Sequence, residues 1–207
     1  MSEKPSAPAT ERNSSSILGV LRIEFLGCRS VLEIGSGTGQ HAVTFAAELP
    51  GLTWQTSDLD ENHDGIHAWL DTAKLSNVRR PLSLDVMSAS GKAHSYDGVY
   101  SSNTAHIMSY PAVVNMFGLV SRVLQDDGVF CLYGPFRQNG RFNTQSNADF
   151  HDSLVAGDPA MGIRDLEDLD ALARDGGLIR SSLYAMPANN LLAVWRRSMS
   201  RRHHDGT

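Results

Sequence analysis

The chain has 207 residues, close to one domain at about 100–200 residues each, and its 41% hydrophobic and 20% charged composition can bury a core without staples. Acidic residues (23) outnumber Lys and Arg (18) for a formal charge of −5, which argues against a nucleic-acid partner. Two cysteines are too few for a disulfide scaffold or a structural zinc site, and no apolar run approaches the roughly 18 residues that span a bilayer, so no membrane partner is expected.

Residues 1–9 hold little that packs and predict a flexible arm before a single domain at 10–197, with a flexible tail at 198–207. The polar opening lacks the apolar stretch of a signal peptide, and a cytoplasmic protein is expected. Helical spacing of Ile17, Leu18, Leu21 and Phe25 predicts a helix over Ser14–Phe25. The apolar run Ser30–Ile34 predicts a strand that ends in a glycine cluster. A helix over Gln40–Leu49 follows, stopped by Pro50-Gly51. Next come a strand at Leu52–Ser57, a helix at Asn62–Leu75, and strands at Arg80–Asp85 and Asp97–Ser102.

The apolar stripe Val113, Met116, Phe117, Val120, Val123 and Leu124 predicts a helix over Ala112–Leu124. Asp126-Asp127-Gly128 then turns the chain into a strand at Val129–Tyr133. Residues 134–163 are rich in Gly, Asn and Gln, and the segment 138–163 reads as a long loop of the lid or binding kind. A helix at Leu166–Ala173 and two strands, Leu178–Ala185 and Leu191–Trp195, complete the chain. Strand and helix alternate, so the sheet is expected to be mainly parallel with helices on both faces. The short last connection makes the final pair an antiparallel hairpin, for seven strands in all.

The segment Val31-Leu32-Glu33-Ile34-Gly35-Ser36-Gly37-Thr38-Gly39 runs a strand into three alternate glycines and then a helix. Glycine there allows positive φ and close approach of a ligand to bare backbone, and amides at a helix start can hold a polar group. A dinucleotide loop reads G-x-G-x-x-G. The spacing here is G-x-G-x-G, with Glu33 ahead of the first glycine, and it departs from that form. Asp58 ends the second predicted strand, where a carboxylate can accept hydrogen bonds from ribose hydroxyls. Asp85 ends the third, on the adenine side of the same crevice.

This constellation resembles the class I S-adenosylmethionine-dependent methyltransferases. More narrowly, Glu11-Arg12-Asn13, the stretch from Ser36 to Ala42, Tyr133-Gly134-Pro135-Phe136, and the stretch from Met186 to Leu191 resemble the DUF938 family, which includes the methyltransferase-like 26 proteins. The resemblance implies a three-layer, Rossmann-like α/β methyltransferase fold whose seven-stranded, mainly parallel sheet carries an antiparallel C-terminal hairpin. It implies S-adenosyl-L-methionine as cofactor and S-adenosyl-L-homocysteine as product. Cofactor contacts are then expected from Glu33, Gly35, Ser36, Gly37, Gly39, Asp58, Leu59, Asp85, Val86 and Asn103, with Arg12 and Asn13 folding over the cofactor carboxylate.

The remaining candidates follow from open α/β sheets binding ligands at the carboxyl ends of their strands. His106, after the fourth strand, is the candidate general base, since an imidazole titrates near neutrality. Tyr133, at the end of the fifth strand, is the second catalytic candidate. Arg137 can clamp a substrate carboxylate, and Phe142, Asn189 and Asn190 are expected to face substrate. Asn143, Asn147, Phe150 and Arg164 are further substrate-facing candidates. His41 reads as a packed polar group. His63 and His67 stand four apart on a predicted helix but have no evident third ligand, so no metal is expected. The reading is a methyltransferase acting on a small molecule, with the acceptor atom and a monomer or homodimer left open. The alternatives are a methyltransferase of proteins or peptides, a cofactor-binding protein without catalysis, and a nucleotide-dependent oxidoreductase, which the glycine spacing opposes.

Overall fold

A computed structural model describes residues 4–88 and 95–197. The elements are α1 (Pro8–Glu24), β1 (Ser30–Ile34), α2 (Gln40–Glu48), β2 (Thr53–Asp58), α3 (His63–Ala73), β3 (Val78–Ser83), β4 (Tyr96–Ser102), α4 (Tyr110–Val123), β5 (Leu124–Gly134), β6 (Phe136–Arg137), α5 (Gln145–Gly157), β7 (Arg164–Asp165), α6 (Leu166–Asp175), β8 (Leu178–Ala185) and β9 (Leu191–Arg197). Seven of the strands form one sheet in the order β3-β2-β1-β4-β5-β9-β8. The pairs from β3 to β5 are parallel. The strand β9 runs antiparallel to both β5 and β8. This is the expected α/β sheet with its terminal hairpin.

Central parallel strands are covered on both faces and so carry apolar side chains on both. In β1, Val31 and Ile34 are both fully buried, and they point to opposite sides. One face packs on α1 and α2 through Ile17, Leu21, Phe45, Trp54 and Tyr100. The other packs on α4 and α6 through Phe117, Phe130, Leu169 and Trp195, where the Phe130 and Trp195 rings stack at 5.6 Å. Glu24, at the end of α1, binds Arg196 of β9 and Tyr184 of β8, each at 2.6 Å, and fixes the first helix to the last strands. Among the described residues no helix is long and apolar enough to cross a membrane.

Several elements differ from expectation. Helix α1 opens at Pro8, six residues before Ser14, because proline suits the first helical turn, where its missing N–H costs nothing. The described part of the expected arm is packed: Ala7 N–H donates to Gln40 Oε1 (2.6 Å) and Trp69 Nε1–H to the Pro5 carbonyl (2.8 Å). Residues 1–3 and the expected tail at 198–207 lie outside the described residues. A 3-10 turn at Asp60–Asn62 precedes α3. Strand β3 lies two residues earlier than expected, so Asp85 sits in the turn beyond it. Strand β5 runs through Asp126-Asp127-Gly128 by a register shift against β4, with Asp127 at φ 61°. The expected loop at 138–163 holds the 13-residue helix α5, capped by Thr144, and the short strands β6 and β7 that flank it pair with each other.

Candidate functional site

A cavity of about 610 Å³ lies at the carboxyl ends of β1, β2 and β4. It brings together Gly35, Gly37, Asp58, Leu59, Asp85, Val86 and Asn103, seven of the residues expected to hold a cofactor. A separate cavity of about 410 Å³, beside α3 and β3, contains none of them.

The glycine loop is shaped for this place. Gly35 has φ 73°, and a Cβ there would lie 2.6 Å from Thr104 Cγ2. Gly37 has φ 56° and nothing within 4 Å of its Cβ position, so its backbone is bare toward the cavity. Its N–H donates to Asp58 Oδ2 (2.7 Å). Asp58 Oδ1 accepts from Leu59 N–H and from Asn62 Nδ2, both at 2.8 Å. The carboxylate therefore latches the loop to the end of β2 and keeps about one of its roughly four lone-pair sites for a ligand. Asp85 is exposed, and its side chain accepts a local turn bond from Met87 N–H (2.9 Å).

Three of the expected cofactor residues support the loop instead of lining the cavity. Glu33 is buried beneath it and accepts from Ser36 Oγ (2.9 Å) and Trp54 Nε1–H (3.0 Å). Burial pushes its carboxyl up to about 7, against the lowering effect of those two bonds. Ser36 Oγ in turn accepts from Ser57 N–H (3.1 Å). Gly39 starts α2 with φ 87° and packs on Ile66, whose Cα would be 3.0 Å from a Cβ. Arg12 is exposed on α1 and is not among the cavity-lining residues.

Asn13 is buried, and its Oδ1 lies 2.9 Å from His41 Nε2. The His41 ring stacks on Phe45 at 4.8 Å, and burial holds its pKa down to about 4, so it is the packed polar group expected. Tyr133 is 2% exposed, and its hydroxyl accepts from Asn190 Nδ2 (3.0 Å). Burial raises the phenol pKa while the Asn13 and Asn190 amides lower it. Tyr133 pairs with Ser102 across the sheet, and Ser102 lines the cavity. The Tyr100 hydroxyl on the same face is buried, directed toward Ser102 but outside hydrogen-bonding geometry.

His106 follows β4 and is 7% exposed, with its ring against Phe150 of α5 at 5.5 Å. Burial, and then the Arg164 charge, lower its pKa to about 4, so the imidazole is neutral at pH 7. The other substrate candidates cluster away from the cavity lining. The Arg137 guanidinium lies over Phe142 at 5.6 Å and its Nε is 3.9 Å from Asp165, buried without a hydrogen bond. Asn143 and Asn147 both donate to the Asn189 carbonyl at 3.0 Å, and Asn189 Nδ2 donates to Ser146 Oγ (3.3 Å). These side chains tie α5 to the β8–β9 turn. Arg164 acts as a strut: it donates to the carbonyls of Ala105 (3.0 Å), Ala160 (2.8 Å) and Met108. His67 accepts from Arg80 and His63 lies against the Asp58 carbonyl.

Sequence reasoning missed Thr104, Glu61, Asn62, Ile107 and Met161, which also line the cavity. Glu61 and Asn62 were accessible from their place just after the second acid. Thr104 and Met161 reach the cavity only through tertiary packing.

Solved structures with this fold cover most of the chain. An O-methyltransferase family protein from Burkholderia thailandensis superposes with a TM-score of 0.80 at 18% identity, over 93% of this chain and 58% of that one. The mitomycin 7-O-methyltransferase MmcR gives 0.78 at 15%, over 92% and 54%. PigF with SAH gives 0.75 at 15%, over 92% and 64%. The chain thus spans less than two thirds of the length of these three proteins. They share the Rossmann-like fold of methyltransferases with this chain. A family model described as a protein of unknown function, DUF938, matches residues 4–197, the whole span from the segment packed on α2 and α3 to the end of β9, and the chain belongs to the DUF938 family.

Proposed function

We propose that this protein is an S-adenosyl-L-methionine-dependent methyltransferase acting on a small molecule, in keeping with the likeness of its motifs to the methyltransferase-like 26 proteins. The observation that carries the reading is the single cavity joining the bare Gly37 backbone to Asp58, Asp85 and Asn103. Its donor set suits this cofactor. Carboxylates accept from ribose hydroxyls, and acids near the site favour a ligand with cationic sulfonium and ammonium groups. Leu59, Val86, Ile107 and Met108 offer apolar surface to a purine. Solved structures with the same fold include two named methyltransferases and PigF with SAH.

When bound, the cofactor supplies a methyl group already activated on sulfonium. The chain's task is then placement, which in favourable geometry supplies about 7–11 kcal/mol of a barrier. Asp58 would hold the ribose hydroxyls with its remaining lone-pair site, and Asp85 would serve the adenosine end of the same cavity. Burial at His106 and Tyr133 excludes water from the acceptor side. Tyr133, with its phenol pKa raised, stays protonated and acts as a hydrogen-bond donor, not a base. His106, neutral at pH 7, has a ring lone pair free to take an acceptor proton. The negative net charge supports an acceptor other than nucleic acid. A cytoplasmic location is part of this reading.

Titration calorimetry tests it with S-adenosylmethionine, S-adenosylhomocysteine and NAD. The first two should bind and NAD should not. Asp85→Ala should weaken both by about 5–10-fold, an effect of roughly 1–1.5 kcal/mol. Asp58→Ala should weaken them further, because it removes a ligand contact and the loop latch together. Binding of NAD in preference to S-adenosylmethionine would overturn the assignment.

A further inference from the structure

Gly134, the last residue of β5, has no steric reason to be glycine. It is buried, its φ is not positive, and a Cβ there would make only ordinary contacts. Gly35 differs, since a Cβ there would collide with Thr104. The nearest atoms around the absent Cβ of Gly134 are His106 Nδ1 at 3.7 Å, Phe136 Cζ at 3.8 Å and Asn103 Oδ1 at 3.9 Å. Two polar atoms from the β4–α4 loop thus converge on a space about one atom wide. Asn103 also lines the cofactor cavity and so links the two places. Asn103 is held at φ 57°, and its Nδ2 turns to Ser102 Oγ (3.4 Å), which leaves Oδ1 facing Gly134. No hydrogen bond from the chain occupies His106 Nδ1 or Asn103 Oδ1 in the described structure.

We propose that the space over Gly134 is the seat of the methyl-accepting atom, and that this atom carries a hydrogen, as the N–H of a neutral amine or the O–H of a phenol or alcohol does. The inference rests on the methyltransferase reading and deepens it. Asn103 Oδ1 has no hydrogen and accepts only. A neutral imidazole carries one N–H, and with that proton on Nε2 the Nδ1 atom accepts as well. In that tautomer the two acceptors hold a donor and repel a carboxylate, so the site selects amines and hydroxyls over acids. A carboxylate acceptor would leave two lone-pair groups opposed to its oxygens, with no proton between them. Phe150, edge-on to His106 and partly exposed, gives an aromatic acceptor a ring to pack on.

The test uses protein saturated with S-adenosylhomocysteine and two small probes, phenol and aniline. Anisole and N,N-dimethylaniline serve as controls that lack the hydrogen. The ring nitrogens of His106 are followed by 15N NMR, and cofactor affinities by calorimetry. In the wild type, phenol or aniline should shift Nδ1 saturably at millimolar concentration, and the controls should not. Gly134→Ala fills the space at ordinary contact distance, and should weaken the probes at least tenfold while both cofactor affinities stay within twofold. Asn103→Gly keeps the positive φ, removes Oδ1, and should weaken the probes at least tenfold, with the probes read at saturating S-adenosylhomocysteine because Asn103 also lines the cofactor cavity; it covers the case of a Gly134→Ala protein that fails to fold. Absence of any probe shift in the wild type, unchanged probe binding in Gly134→Ala, or equal binding of the controls would each overturn the proposal. Weaker S-adenosylmethionine with unchanged S-adenosylhomocysteine in Gly134→Ala places the transferred methyl there and also overturns it. Loss of both cofactors in the wild type removes the methyltransferase reading itself, whereas normal cofactor binding with no probe response removes only the seat over Gly134.

Discussion

Gly35 shows how one side-chain hydrogen shapes the site. Its backbone sits at φ 73°, and a Cβ would be 2.6 Å from Thr104 Cγ2. Gly35→Ala therefore meets both backbone strain and overpacking, each worth about 1–3 kcal/mol. Its melting temperature should fall, and adding Thr104→Ser should restore part of the loss, because serine keeps the 2.7 Å contact with Ser101 Oγ and drops the clashing methyl. No recovery in the double variant would show that strain alone sets the cost. Asp58 makes a second case. Its two oxygens accept three N–H bonds from Gly37, Leu59 and Asn62. Asn at this position has one accepting oxygen and turns an NH2 toward at least one donor. Asp58→Asn should cost about 1–3 kcal/mol and speed amide exchange at Gly37, which mass spectrometry of the loop peptides can read.

At the scale of elements, α5 is held by polar side chains and not by an apolar stripe. Within it only Asn147 is buried, and its amide donates to Asn143 Oδ1 (2.7 Å) and to the Asn189 carbonyl (3.0 Å). Asn147→Ala deletes both bonds and leaves the Asn189 carbonyl to Asn143 alone. The expected result is a loss of about 1–2 kcal/mol with faster hydrogen exchange confined to 145–157 and the 186–190 turn. Exchange that rises across the whole sheet would contradict this local role. The same feature explains why α5 was illegible in the sequence. Its residues, Gln-Ser-Asn-Ala-Asp-Phe-His-Asp-Ser-Leu-Val-Ala-Gly, show no buried face, so periodicity had nothing to report. By contrast β1, α2 and the hairpin strands carry their burial in their own spacing, and their places agree with expectation to within about two residues. The site divides the same way. Asp58 and Asp85 were legible because an acid at a strand end needs little context. Glu33 was legible as part of the motif but not as a buried support, because Trp54 comes from the neighbouring strand. The structural ties of Asn189 and Arg164 were not legible because their partners, a helix without a stripe and a set of loop carbonyls, leave no local trace.

Across the whole molecule, three buried titratable groups set opposing responses to pH. His41 and His106 are held down to about 4, chiefly by burial. The unfolded chain takes up their protons from about pH 6.5 downward, so both contribute stability that is present above pH 6.5 and lost as pH falls toward 4. Glu33 runs the other way. Its folded value of about 7 lies above the unfolded value near 4.5, so its contribution is complete below pH 4.5 and is lost as pH rises through 7. Asp97 and Asp165 are held below the ordinary carboxylate range, and their contributions are lost only in more acidic solution. Between pH 4.5 and 6.5 two protons are therefore opposed by one. The net slope should be about 1.4 kcal/mol of stability per pH unit, rising with pH. Above pH 6.5 the histidines are finished and Glu33 alone acts, which places the stability maximum near pH 6.5. His41→Gln keeps an amide donor for Asn13 and removes one titration, so its slope should fall to about zero. Glu33→Gln keeps an acceptor for Trp54 and Ser36, and its slope should double to about 2.7 kcal/mol per unit, with no decline above pH 6.5. Urea unfolding at half-unit steps from pH 4.5 to 8 separates the three proteins. Parallel profiles would mean that the three groups titrate alike in the folded and unfolded chain, and that the polar residues under the glycine loop are far wetter than their burial implies.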